Sequence, residues 1–89
     1  MIVNVRFVRG EKKYIQFLVL SKKKEPIIIT NATYTLTHNN EVVECGSCEI
    51  DGSAILVLLE LSTFGSYQLE VTYTIPPEIR KARCVVDVS

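Results

Sequence analysis

The chain has 89 residues, which suits one small domain over residues 1–89 and leaves little room for an enclosed active site. Ten lysines and arginines balance ten aspartates and glutamates, so the net charge gives no whole-molecule attraction to nucleic acid or to an anionic membrane. A chain so close to neutrality tends to associate, which favours a place inside an assembly.

Three cysteines are an odd number, so at least one is unpaired within the chain, whereas small secreted domains usually carry an even disulfide set. The start, Met1 to Arg6, lacks the basic first region and the long apolar run of a signal peptide. The longest apolar run, 54–59, is far shorter than the ~20 residues of a membrane-spanning helix. We therefore expect synthesis in a reducing cytoplasm.

Alternation of apolar and polar residues predicts strands along the whole chain, because successive side chains of a strand point to opposite faces. Turn residues separate them, among them Gly10, Asn39-Asn40 and Asp51-Gly52. The predicted strands are 2–8, 14–20, 32–38, 41–45, 47–50, 54–60, 66–75 and 80–88, with a short apolar segment at 27–29.

The longest alternation runs from Ser66 to Ile75 and ends at Pro76-Pro77, where proline cannot donate to a sheet ladder. Its corner, Gly65-Ser66-Tyr67, permits two interpretations of Tyr67. It is either a plain core tyrosine or a tyrosine corner, in which the hydroxyl bonds back to the preceding backbone.

No segment shows a helical stripe, and strands recur about every ten residues with turns between them. The predicted fold is all-β, an immunoglobulin-like antiparallel β-sandwich of seven or eight short strands. A small closed barrel is the alternative.

The motif Cys45-Gly46-Ser47-Cys48 lies between two predicted strands, with no helix whose N-terminus would lower a thiol pKa. Zinc needs four ligands, and the sequence offers only Cys84 and His38 as further candidates. His38 adjoins two asparagines in a predicted turn, and no motif ties a nucleophile to it. We expect free thiols, an exposed histidine, no metal, no cofactor and no catalysis.

Two groups of charged residues have solvated surfaces as their simplest explanation. The acidic group matches no calcium loop. The basic group lacks the interleaved aromatic residues of a nucleic-acid surface, and lysine also protects turns and sheet edges. The acidic residues are Glu41, Glu44, Glu49 and Asp51; the basic ones are Lys12, Lys13, Lys22, Lys23, Lys24, Arg80, Lys81 and Arg83.

Residues 54–59, Ala-Ile-Leu-Val-Leu-Leu, are apolar on both faces of the predicted strand. Either Ile55, Val57 and Leu59 face solvent or the alternate residues do, and an outward apolar row commonly marks a contact surface. We name Ile55, Val57 and Leu59 as the predicted interface. Otherwise, a loop such as Ile27-Ile28-Ile29 covers this row.

Several turn and strand patterns between about Phe7 and Val88 occur together: Arg9-Gly10-Glu11, residues 25–32 (EPIIITNA), Ile50-Asp51-Gly52, Gly65-Ser66-Tyr67 and residues 85–88 (VVDV). With them the chain resembles an immunoglobulin-like module of tailed-bacteriophage structural proteins, most of all the N-terminal module of upper baseplate proteins. The resemblance implies a β-sandwich, a structural role, a multimeric state and a final location in the virion.

The predicted function is therefore a non-catalytic structural module, in a phage or prophage tail or baseplate. Its partner would be a second copy or another virion protein, and neither nucleic acid nor a membrane. The alternative is a small carbohydrate- or peptide-binding sandwich, in which Tyr34, Tyr67 or Tyr73 stacks on a ligand if exposed. A third possibility is an enzyme or metal protein around Cys45, Cys48 and His38.

Overall fold

The structure is a computed structural model that describes residues 3–19 and 27–89. Within these ranges the chain forms eight strands and no helix. The strands are β1 (Val3–Phe7), β2 (Glu11–Leu18), β3 (Asn31–His38), β4 (Glu41–Ser47), β5 (Glu49–Asp51), β6 (Ala54–Leu61), β7 (Gly65–Ile75) and β8 (Glu78–Val88). The predicted turn 21–26, with its lysines at 22–24, lies outside the described residues. In the described part of the chain no helix could cross a membrane.

The strands form two sheets, one of five strands in the order β1-β8-β7-β3-β4 and one of three in the order β2-β6-β5. In immunoglobulin-like sandwiches the second, fifth and fourth strands share one sheet and the third, sixth and seventh the other. The present order corresponds to that arrangement when β4 is counted as an additional strand. Then β2, β6 and β5 are the second, fifth and fourth strands, and β3, β7 and β8 are the third, sixth and seventh. β1 and β4 lie at the edges of the larger sheet. The predicted all-β sandwich is confirmed, with one difference: β1 pairs with β8 in parallel.

The core lies between the two sheets and follows the alternation of the sequence. On β7, Tyr67, Leu69 and Val71 point inward, and the register places them opposite Val86, Cys84 and Ala82 of β8. Alternation therefore predicted the inner faces of these strands correctly. The inward positions expected on the second and third predicted strands also lie in or against the core, although Val19 follows the end of β2: Ile15, Phe17, Val19, Ala32, Tyr34 and Leu36.

The turn between β3 and β4 consists of Asn39 and Asn40, whose φ angles are 52° and 65°. A two-residue hairpin turn with positive φ at both positions matches the twist of the adjoining strands, and asparagine adopts that region readily. The asparagine pair therefore fixes this hairpin, as the sequence predicted.

The chain crosses from the larger sheet to the smaller one between β1 and β2. Gly10 has a φ of 83°, a value that glycine adopts without strain. Its N–H donates to the carbonyl of Leu61 at 2.9 Å, and the N–H of Arg9 donates to the carbonyl of Ser89 at 3.0 Å. These bonds fasten the crossing to the ends of β6 and β8, so β2 is held firmly in the smaller sheet.

The corner before β7 is a tyrosine corner. The Tyr67 hydroxyl donates to the carbonyl of Thr63 at 3.1 Å, four residues upstream, and the ring is buried in the core. This is the bond that characterises the corner of immunoglobulin-like domains. Of the two interpretations that the sequence permitted, the geometry supports this one.

Candidate interaction surface

The three predicted interface residues lie in the core. Ile55, Val57 and Leu59 are at most 1% exposed and belong to the main hydrophobic cluster. Their assignment to an exposed face is corrected, because β6 pairs with Ile15 and Phe17 of β2 in a register that directs these side chains toward the larger sheet. On the other side of β6, Leu56 is half-buried and Leu58 and Glu60 are exposed.

The outer face of the smaller sheet carries a group of apolar side chains that we name the outer patch: Tyr14, Leu18, Leu56 and Leu58. Tyr14 lies directly opposite Leu58 on the neighbouring strand, and their exposures are 52% and 40%. Leu18 is 64% exposed, and Leu56 is half-buried. Single exposed apolar residues are ordinary, but neighbouring ones on a sheet face mark a contact surface.

The segment Ile27-Ile28-Ile29 does not cover the outer patch. Ile29 is buried in the core, and the N–H of Thr30 donates to the carbonyl of Thr74 in the larger sheet, at 3.0 Å. Leu58 keeps its exposure in the presence of this segment. The apolar row on β6 is therefore open to solvent in the described part of the chain.

The middle of the larger sheet has a polar outer face, and the exposed apolar residues of that sheet, Val42, Val43 and Ile79, lie on β4 and near the start of β8. Glu70 on β7 accepts a hydrogen bond from Arg83 of β8 at 2.6 Å and lies 3.5 Å from Lys81. The bond from Arg83 is the main reason why the pKa of the Glu70 carboxyl is lowered. Thr33 and Thr35 of β3 lie on the same face. The paired charges make this face a solvated surface.

The three cysteines are unpaired and lie in different environments: Cys45 is exposed, Cys48 half-buried and Cys84 buried. Burial raises the pKa of the Cys48 thiol to about 11 and also raises that of Cys84. Both thiols are thus protonated at neutral pH, the opposite of an activated nucleophile. Among the described residues, no group of three or more His, Cys, Asp or Glu side chains could hold a metal ion.

His38 is not the exposed turn residue that its neighbours suggest. It is the last residue of β3, its ring stacks on that of Tyr67 with centroids 4.4 Å apart, and Nδ1 lies 2.9 Å from the carbonyl oxygen of Ser66. A Cβ at Gly65 would lie 2.8 Å from its Cε1 atom. The imidazole therefore holds the end of β3 against the tyrosine corner.

The acidic residues lie along the exposed strands β4 and β5, as expected of a solvated face. Only Glu44 among them has a side-chain partner in the described residues: it accepts a hydrogen bond from Tyr34 at 3.0 Å. Desolvation, followed by this bond, raises the pKa of Tyr34 to about 12. The Tyr34 ring covers Gly46 of β4, whose Cβ position would be 3.2 Å from Cε1.

Several of the described basic side chains have protein partners. Arg80 donates to Glu78 at 2.8 Å. Lys13 lies 3.1 Å from Glu11, donates to the carbonyl of Arg6 at 2.6 Å, and sits 4.5 Å from the centroid of the Phe7 ring. Lys13 thus acts as a local brace between β1 and β2.

The three tyrosines named for ligand stacking do not form an outward-facing cluster. Tyr67 is buried, and Tyr34 and Tyr73 are half-buried against the core. The exposed aromatic residue on a sheet face is Tyr14, in the outer patch. A carbohydrate- or peptide-binding face built from Tyr34, Tyr67 and Tyr73 is therefore not present.

The strand order and the tyrosine corner define the class of protein as an all-β sandwich with immunoglobulin-like topology. Comparison of the chain with protein-family models, curated proteins and solved structures finds no match. The candidate site therefore comes from geometry alone, and it is the outer patch.

Sequence reasoning found the strand of this surface but chose the wrong side of it. Leu56 and Leu58 are apolar like their inward neighbours, so the pattern along β6 does not tell which side of the strand faces the core. A usable signal lay on β2, where Tyr14 and Leu18 alternate with the inward Ile15 and Phe17. These outward apolar residues were the missed indication of a second apolar face.

Proposed function

We propose that the chain is a non-catalytic assembly module that acts through protein–protein contacts, as a component of a phage or prophage tail or baseplate. Its partner is a second copy or another virion protein. The single observation that carries the contact is the outer patch, where Tyr14 and Leu58 face each other on exposed positions of adjacent strands. Burial of such a face is worth roughly 25 cal/mol per Å² before the costs of association.

The contrast between the two outer faces supports a contact on one side. The larger sheet presents threonines and the Glu70–Arg83 pair, which interact well with water. The smaller sheet presents leucines and a tyrosine, a composition that suits the centre of a protein interface. The virion assignment is supported separately, by the turn and strand patterns that resemble phage upper baseplate proteins.

The test is sedimentation velocity over a wide range of protein concentration. We expect the mass to rise above the 10.0 kDa of a single chain, and Leu58→Lys to lower the mass reached at the highest concentration. The matched control is Ile79→Lys, because Ile79 is 71% exposed but lies on β8 in the larger sheet. Circular dichroism of each variant verifies that the sandwich is folded.

The proposal would be contradicted if Leu58→Lys were as heavy as the native chain at every concentration. It would also be contradicted if Ile79→Lys lowered the mass equally, because a general charge effect would then explain the result. Leu58 is suitable for this comparison because its side chain does not belong to the core, so the lysine changes the surface and leaves the packing intact.

A further inference from the structure

The edges of the two sheets differ in how well they are protected against strand addition. An unpaired edge strand offers a row of backbone donors and acceptors, which natural proteins block with lysines, bulges or short strands. On β1 the Lys13 ammonium donates a hydrogen bond to the carbonyl oxygen of Arg6 and so blocks that acceptor. On β4 the pairing with β3 shifts between Leu36 and Thr37, and β5 has only three residues. Each of these edges carries a blocking device.

The edge of β2 is the least protected within the described residues, because its two lysines, Lys12 and Lys13, both lie near the start of the strand. Its eight residues pair with β6 without a bulge, and no described strand pairs with its other side. From Tyr14 to Leu18 it contains no charge, no proline and no glycine. A regular, uncharged and partly apolar edge is the kind that pairs with another strand.

The pattern of hydrogen bonds between β2 and β6 shows which backbone groups of β2 point away from β6. The N–H of Val19 donates to the carbonyl of Ser53 at 2.9 Å, in register with the pairing of Leu18 and Ala54. Hydrogen-bonded and non-hydrogen-bonded pairs alternate along an antiparallel ladder, so the odd-numbered residues of β2 bond to β6. The backbone groups of Tyr14, Gln16 and Leu18 therefore point to the open edge.

We propose that two copies of the chain pair through this edge, β2 against β2, as an antiparallel two-fold dimer. This inference rests on the proposed function and names the partner. A two-fold contact joins the same patch on both copies, so the strand must be complementary to itself. The segment Tyr14–Leu18 meets that requirement, because reversing its direction places apolar residues opposite apolar residues.

The register that pairs the whole segment Tyr14–Leu18 with itself is centred on Gln16. A two-fold axis perpendicular to the sheet keeps outer faces together, so outward Tyr14 lies opposite Leu18 of the second copy and inward Ile15 opposite its Phe17. Gln16 meets Gln16. Moving the centre to Ile15 would place Lys13 opposite Phe17, and moving it to Tyr14 would place Lys13 opposite Ile15. The Gln16 register keeps both lysines, Lys12 and Lys13, outside the neutral span.

The dimer also enlarges the surface of the proposed function. In the combined sheet, β5-β6-β2-β2-β6-β5, the outer patches of the two copies meet at Tyr14 and Leu18 and form one continuous apolar face. Phe17, which is half-buried in the single chain, becomes covered by Ile15 of the second copy. The edge contact therefore makes the pair, and the joined outer patches remain available to a further partner.

The experiment places a positive or a negative charge at Gln16, the residue on the two-fold axis, and tests the two variants first separately and then mixed. In Gln16→Lys and in Gln16→Glu, like charges face each other across the contact, and such pairs are destabilising. We expect native protein to reach twice 10.0 kDa by light scattering and each variant to dissociate at several-fold higher concentration. An equimolar mixture of the two variants regains the dimer. The control Gln68→Lys, exposed on the inner strand β7, keeps the native dimer.

A second variant tests the backbone itself. Gln16→Pro removes an N–H that points to the open edge and none that bonds to β6, a position where edge strands accept proline. We expect a folded chain that stays monomeric. If this variant does not fold, the lysine and glutamate mixture decides the question. A mixture no heavier than its components, a dimeric Gln16→Pro, or a native chain that stays at 10.0 kDa would each overturn the pairing.

The failures of the two proposals are separable because Gln16→Pro acts on the backbone of the β2 edge, whereas Leu58→Lys acts on a side chain of the outer patch. The Gln16 side chain itself lies on the outer face, opposite Leu56, so the proline variant and the mixture of charge variants carry the comparison. Under edge pairing, Leu58→Lys keeps the dimer and loses only larger species. If Leu58→Lys dissociates the dimer while the Gln16 variants keep it, the outer patch holds the copies, and the edge pairing is overturned while the proposed function stands. If only the Gln16 variants dissociate and Leu58→Lys has the same mass as the native chain, the edge pairing stands and the outer patch is not a contact.

Discussion

The tyrosine corner provides the sharpest test of how this small sandwich is held together. In Tyr67→Phe the ring stays in the core and keeps its stacking on His38, and only the hydroxyl bond to Thr63 is lost. No cavity forms, so the loss equals the net value of one hydrogen bond, about 1 kcal/mol. In a domain of this size that corresponds to a fall of about 4–8 °C in the melting temperature.

Urea unfolding and thermal melting of Tyr67→Phe and of the control Tyr14→Phe measure the effect at a concentration where the chain is monomeric. Tyr14 lies on the outer face and no hydrogen bond of its hydroxyl to a described residue is seen, so we expect its loss to change stability by less than about 0.5 kcal/mol. The urea midpoint of Tyr67→Phe should fall without a change in slope, because the exposed area on unfolding is the same. Equal midpoints for the two variants would refute the reasoning and show that water replaces the corner bond at no cost.

Three further outcomes follow from the same contacts. Leu59→Ala should destabilise by about 2–5 kcal/mol because Leu59 is fully buried, whereas Leu58→Ala should cost less than about 1 kcal/mol; denaturant midpoints measure both. Gly65→Ala should cost about 1–3 kcal/mol because its φ is 136° and its Cβ meets His38, and a double-mutant cycle with His38→Ala should recover the steric part. The raised pKa of Tyr34 means that the folded chain holds this proton more tightly than the unfolded chain does. Stability should therefore fall as the pH rises from 10.0 toward about 12, and Tyr34→Phe should flatten that fall in urea midpoints taken across the range.

The inner faces of most strands could be predicted because their alternation is local. Along Tyr67–Ile75 of β7 and Ala82–Val88 of β8 every second residue is apolar, so the direction of each side chain follows from its position, and Leu69 and Val86 are buried as expected. The asparagine turn could be predicted for a similar reason, since positive φ is a property of the residue itself. Local patterns thus determined the strands and their inner faces.

Features that depend on pairing between distant strands could not be predicted. The direction of Ile55, Val57 and Leu59 is set by the register of β6 against β2, and residues 54–59 are apolar at every position. His38 looks like a turn residue beside two asparagines, but β3 pairs it directly with Tyr67, more than two dozen residues later. The residues of β6 and the residues around His38 contain no sign of these contacts themselves.

The two sheets contribute unequally to the molecule, and this inequality explains where its contacts lie. The larger sheet contains the two 11-residue strands and the tyrosine corner, its outer face carries ion pairs, and β1 is braced by Lys13. The smaller sheet has only three strands, an apolar patch on its outer face and an edge on β2 that is uncharged from Tyr14 to Leu18. A three-stranded sheet with an apolar outer face gains from further strands and from cover, because both remove apolar surface from water. A second β2 strand would extend the sheet, and a partner on the outer patch would cover its apolar face. Both proposed contacts therefore act on the smaller sheet.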